Sequence, residues 1–90
     1  RVMAAARRLD RLQHLQQELA EHQVSLAISP CDAARPEDVD RVVAETVRLF
    51  GRIDVLIYAA GTNIPRRALN VLSRDDWHRL LDANLSGAFH

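Results

Sequence analysis

Residues Val55-Leu56-Ile57-Tyr58-Ala59 form an uninterrupted apolar run closed by Ala60-Gly61, and no other feature constrains the fold of this chain as strongly. A strand with one wet face alternates apolar and polar residues. Continuous apolarity instead requires cover on both faces, as helices give a parallel sheet. Parallel strands are joined by crossovers of a dozen or more residues, usually helical. The remaining sequence should therefore alternate strands with helices.

It does. Val2 to Ala6 reads as a short buried strand. Leu9, Leu12, Leu15 and Leu19 then recur every three or four residues among Arg11, Gln13, Gln17 and Glu21, the stripe of an amphipathic helix. Val24 to Ser29 has β-branched content, ends at Pro30 and reads as a second strand. Pro36 suits a first helical position because its missing N–H would have no partner there. Glu37, Asp38 and Asp40 set negative charge at the positive end of the helix dipole. Val39, Val42, Val43, Thr46, Val47 and Phe50 trace one face of this helix, and Gly51 is placed to cap it. The run at 55–59 is the third expected strand. After a loop containing Pro65, Ser73 is a plausible N-cap ahead of Asp75 and Asp76, with Trp77, Leu80, Leu81 and Leu85 as the apolar face of a last helix. Strand-helix alternation of this kind predicts an α/β fold, a doubly wound parallel sheet of which these residues form part.

Composition excludes several functions. Twelve basic residues balance twelve acidic ones, so no net field favours nucleic acid or an anionic membrane. All twelve basic residues are arginine, so no lysine of this chain can form a Schiff base or assist proton transfer. No apolar run approaches the ~20 residues of a membrane-spanning helix. Cys31 has no partner for an intrachain disulfide, which fits a reducing, cytoplasmic setting. His14, His22, His78 and His90 lack metal-ligand spacing with one another or with Cys31, so no metal site is expected.

Four constellations can carry chemistry, each with a plainer alternative. Asn84 follows Trp77 by seven residues and Leu80 by four, on an otherwise apolar helix face. It is either a functional amide or one satisfied by neighbouring backbone. Ala59-Ala60-Gly61 ends a strand with small residues where α/β folds bind ligands, or simply makes a tight turn. Cys31-Asp32 lies at another such end, and its aspartate alternatively caps local N–H groups. Arg7-Arg8 directly follows the first strand, without a competing acid at Ala6. The pair can hold an extra phosphate through charge-assisted bonds, or form a solvated helix start.

Together these features resemble the short-chain dehydrogenase/reductase family over essentially all ninety residues. Leu49-Phe50-Gly51-Arg52-Ile53-Asp54-Val55-Leu56-Ile57-Tyr58-Ala59-Ala60-Gly61 is similar to the family's FG-x-[IL]-D-x-L-[VI]-N-[NA]-A-G segment. Asn84-Leu85-Ser86-Gly87, twenty-three residues after Gly61, is similar to its N-[LVI]-x-G motif, and Asp32 to its D-[VA] after the third strand. The resemblance implies that residues 1–90 are a fragment of one NAD(P)-binding Rossmann domain with strand order 3-2-1-4-5, entered at strand 2. It makes Asn84 the asparagine that supports the catalytic proton relay. It gives Asp32, with Ala33 beside it, to the adenine amine, and Ala59, Ala60 and Gly61 to the adenosine ribose. Arg7, joined by Arg8, marks NADP(H) preference, with NAD(H) possible.

The implied activity is hydride transfer between a carbonyl and an alcohol on a small-molecule substrate, by an enzyme that commonly forms homo-oligomers. The runner-up is a non-catalytic dinucleotide-binding or scaffold module. Tyr58 departs from the family pattern, standing where asparagine is usual, so the bonds of that side chain are missing or replaced. It is not the family's catalytic tyrosine, since Thr62 rather than lysine follows four positions later. The glycine-rich pyrophosphate turn is expected before Arg1, and the catalytic serine and Tyr-x-x-x-Lys beyond His90. Accordingly, the ninety residues alone are expected to be inactive and at best marginally folded.

Overall fold

The computed structural model describes residues 1–90. Val2–Ala6 (β1) and Leu26–Pro30 (β2) pair in parallel, with Val2 opposite Leu26 and Ala6 opposite Pro30. Helix α1 (Leu9–Glu21) makes the crossover, and α2 (Pro36–Phe50) follows β2. Farther along come α3 (Arg74–Leu81), a five-residue π-helical turn at Asp82–Ser86, and a short α4 (Gly87–Phe89). The β-α-β-α order is the expected one, and parallel pairing makes the chain α/β.

Two contacts seat α1 on the sheet. Leu12 and Leu26 are both buried, and Gln16 Nε2 donates to the Leu26 carbonyl at 2.6 Å. The helix ends without glycine. Gln23 takes φ +60°, with its N–H on the Ala20 carbonyl and the Val24 N–H on the Leu19 carbonyl. This is a Schellman cap with a glutamine in the left-handed position. It occupies residues where the sequence reading already expected strand, so β2 starts at Leu26 rather than Val24. At the far end of α2, Gly51 has φ +87° and its N–H reaches the Val47 carbonyl, the C-cap expected of it. Pro36 opens α2 as anticipated. Ser73 caps α3 by accepting from the Asp76 N–H at 3.1 Å.

The third strand does not form. Residues 52–64 carry no strand or helix, and the sheet has two strands rather than three. The physical reason is a missing ladder partner: no described strand lies alongside Val55–Ala59 to bond its backbone. Val55, Leu56 and Ile57 are 76%, 79% and 83% exposed. β1 is also less buried than expected, with Val2, Ala5 and Ala6 exposed. The apolar faces of the helices are only partly covered, leaving Val43, Val47, Trp77 and Leu85 exposed. Six of ninety residues are buried, and the radius of gyration of 15.5 Å exceeds the roughly 12 Å of a compact domain of this length. The described residues thus form an open framework whose apolar surfaces lack their cover.

A left-handed non-glycine residue costs on the order of 1 kcal/mol. In the intact protein, Gln23→Gly is expected to raise stability by about 0.5–1 kcal/mol, read as a higher denaturant midpoint at unchanged slope. A lower midpoint would show that the Gln23 side chain contributes more than its backbone strain costs.

Candidate functional site

Three segments meet in this structure: the loop after β2 (residues 31–35), the end of the apolar run (58–62) and the π-turn that bears Asn84. In the parallel pair, β1 and β2 both end at this side, so Arg7 and Cys31 leave from adjacent strand ends. The Cys31 N–H bonds to the Ala6 carbonyl at 3.0 Å. This carboxyl edge is where open α/β sheets take ligands.

Asn84 is the centre of the junction. Its Oδ1 accepts from the Thr62 N–H at 2.9 Å, and its Nδ2 donates to the Thr62 carbonyl at 3.0 Å. One side-chain amide therefore satisfies both backbone groups of one residue, pairing with Thr62 as a neighbouring strand would. The sequence reading expected Asn84 on an apolar helix face. The residue is instead exposed and lies within the π-turn, and both of its hydrogen bonds here go to the Thr62 backbone. Isolated π-turns inside helices recur at functional sites because they re-aim a side chain without ending the helix.

Glycines make the junction possible. A Cβ on Gly61 would lie 2.8 Å from Asn84 Oδ1. One on Gly87 would lie 2.5 Å from Tyr58 Oη and 2.8 Å from the Ala33 carbonyl oxygen. Gly87 thus lets the loop after β2, the 58–62 segment and the π-turn close on one another. Tyr58 adds a further link, its hydroxyl donating to the Ala83 carbonyl at 2.7 Å.

Asp32 sits in a pinned loop. Its Oδ1 accepts from the Ala34 N–H and its carbonyl from the Arg35 N–H, so it caps its own turn. Its N–H donates to Asp38 Oδ2 at 2.9 Å, while Arg41 bridges Asp38 Oδ1, the Pro30 carbonyl and the buried Ser29 Oγ. The Asp32 N–H, with Arg41 beside it, holds the Asp38 carboxyl below its usual range. Burial, with Asp38 and Asp32 adding negative charge against the opposing Arg41, pushes the Cys31 thiol up, so it is no activated nucleophile. Arg7 and Arg8 are exposed and take part in no ion pair. Ala59, Ala60 and Gly61 are exposed along the backbone they were expected to offer a ligand. Asn84, Gly61, Ala33 and Asp32 are thus gathered at one edge. Sequence reasoning missed Thr62 as partner of Asn84, the Asp38–Arg41 bracing and the Tyr58–Ala83 bond, all joined across the fold or set by geometry that no local pattern announces.

The family model described as short chain dehydrogenase matches residues 1–90. The chain belongs to that family. An uncharacterised oxidoreductase of Staphylococcus saprophyticus is 36% identical over all 90 residues, which correspond to 35% of its own length. The crystal structure of an actinorhodin polyketide ketoreductase with NADPH superposes with a TM-score of 0.91 at 30% identity, over 99% of this chain and 34% of that one. An alcohol dehydrogenase from the archaeon Thermococcus sibiricus, complexed with 5-hydroxy-NADP, gives 0.89 at 28%, over 97% of this chain and 37% of that one. This short-chain dehydrogenase sequence spans about a third of the length of such relatives, and the matching structures make its fold Rossmann-like.

Two outcomes test the junction in the intact protein. Gly61→Ala places a methyl against Asn84 Oδ1 and forces the amide off Thr62, with an expected cost of roughly 1–3 kcal/mol for the two hydrogen bonds. An unchanged denaturant midpoint would refute the clamp. Asp38 has a folded-state pKa below its unfolded one, so its contribution is present above about pH 4 and is lost as pH falls through the depressed value. Asp38→Asn is expected to flatten the acid side of the stability-pH curve, and an identical acid limb in both proteins would count against the bracing.

Proposed function

We propose that the complete protein is an NAD(P)(H)-dependent oxidoreductase that interconverts a carbonyl and an alcohol by hydride transfer, with NADP(H) preferred. The observation that carries this reading is the clamp of Asn84 on the Thr62 backbone, beside Ala59-Ala60-Gly61 at the carboxyl edge of the sheet. A module that only bound nucleotide would not need an amide held there.

The residues present fit the adenosine half of the cofactor. Ala59 and Ala60 offer exposed backbone with minimal side chain, and a ribose can approach it closely. Asp32 Oδ1 is engaged by Ala34, which leaves the carboxylate fixed in direction with Oδ2 available to an adenine amine. Arg7 and Arg8, without protein partners, suit the 2′-phosphate that distinguishes NADP(H), and Ala6 supplies no repelling acid. The ketoreductase and alcohol dehydrogenase neighbours, solved with NADPH and 5-hydroxy-NADP, add support. When bound, the nicotinamide supplies or accepts the hydride.

This chain's own part is orientation and electrostatics. Asn84, held in place by Thr62, supports the proton relay to the substrate oxygen. In the family's sheet order a strand with the glycine-rich turn lies between β1 and residues 55–59. That placement accounts for the exposed Val55–Ile57 and for the unpaired edge of β1. A small-molecule substrate, a cytoplasmic setting and assembly into homo-oligomers complete the proposal.

The test is reduction of a panel of aldehydes and ketones by the complete enzyme with NADPH or NADH. Arg7→Ala is expected to lower the NADPH-over-NADH ratio of kcat/KM roughly tenfold, the scale of one charge-assisted contact. An unchanged ratio would sink the NADP preference. Absence of reduction with either cofactor would sink the oxidoreductase reading.

A further inference from the structure

We propose that Tyr58 is a positioning residue for the proton relay, holding the π-turn that carries Asn84 by a hydrogen bond from its hydroxyl to the Ala83 carbonyl. The inference rests on the reading of Asn84 as a relay residue. Three observations carry it.

The bond itself joins residues twenty-five positions apart at 2.7 Å, and its acceptor is the peptide carbonyl immediately before Asn84. Tyr58 and Thr62 lie four positions apart on one segment and grip adjacent residues of the turn, one at the Ala83 backbone and the other at the Asn84 side chain. Two tethers on neighbouring residues, added to the helix that continues on either side, fix how the turn sits against residues 58–62.

The second observation is the room made for the phenol. A Cβ on Gly87 would lie 2.5 Å from Tyr58 Oη, so the hydroxyl occupies the space that a side chain at 87 would need. The third is the surroundings of Tyr58. Its hydroxyl meets the Ala83 carbonyl, and a Cβ at Gly87 would lie against both that hydroxyl and the Ala33 carbonyl oxygen, so the phenol sits where the π-turn and the loop after β2 come together. A shorter polar side chain such as asparagine would not span that distance. Tyrosine at this position therefore ties the 58–62 segment to the π-turn. A rigid aromatic side chain with two rotatable bonds loses little entropy in serving as the strut.

Tyr58→Phe in the complete enzyme keeps the ring and deletes only the donor. Exchange of the Thr62 amide hydrogen, which Asn84 protects, is expected to speed up roughly fivefold, the scale of one neutral hydrogen bond. The value of kcat is expected to fall by about the same factor with cofactor KM unchanged, and the pH profile of kcat is expected to move because the relay is misaligned. A variant with a lower melting temperature but wild-type Thr62 exchange, kcat and pH profile would assign Tyr58 a purely structural role and overturn the proposal. Asn84→Ala, measured alongside, separates the two readings. Full activity in Asn84→Ala would remove the relay role of Asn84, and Thr62 exchange in Tyr58→Phe would still decide the strut: faster exchange upholds it and unchanged exchange overturns it.

Discussion

The pairing of the Asn84 amide with both backbone groups of Thr62 is the constraint around which the site is arranged. Residues 52–64 have no regular structure of their own to locate them. Thr62 is located by that amide, and Gly61 must be a glycine for the amide to come so close. The π-turn follows from the same requirement. A regular α-helix would carry residue 84 on at its ordinary angular step, and the extra residue in the turn shifts the side chain toward the loop. Local irregularity in the helix is thus matched to irregularity in the segment it holds.

The other half of the junction is braced independently. Asp38 and Arg41 lie one turn apart at the start of α2 and reach back to Ser29, Pro30 and Asp32. This short ion pair is partly exposed, so its Coulombic worth is small. Its value is directional, since it fixes the loop that leaves β2 and presents Asp32 at the sheet edge. Ala33 then meets Gly87, and the braced loop and the π-turn share one contact surface. Polar links of this kind join the loop after β2 to the start of α2, and that contact joins it to the π-turn.

Elements whose signals are local were legible in the sequence. Pro36, Gly51 and Ser73 each act within one helical turn, and all three do what their positions imply. The first strand followed from a short apolar run, and both long helices from the spacing of their apolar residues. The end of α1 was not legible, because Gln23 takes a left-handed conformation without the glycine that would announce it. Val55–Ala59 carries a strong strand pattern, but a strand exists only through a partner, and pattern alone cannot supply one. At the site, Asn84, Asp32 and Gly61 stood out by type and position. Their partners did not, since the backbone of Thr62 or Ala83 has the same donors and acceptors whatever its side chain.

That last property governs how the sequence can change. Asn84 recognises the peptide of Thr62, and Tyr58 the peptide of Ala83, so neither link depends on the side chain at 62 or 83. Proline at 62 aside, since it has no N–H to give Asn84, those two positions are free to drift as far as these bonds are concerned. The burden falls on Gly61 and Gly87, where the protein needs nothing at all beyond the backbone, and where any added atom is an intrusion. The site is in this sense written in main-chain atoms and punctuated by empty space, and it is the empty positions that evolution has least liberty to fill.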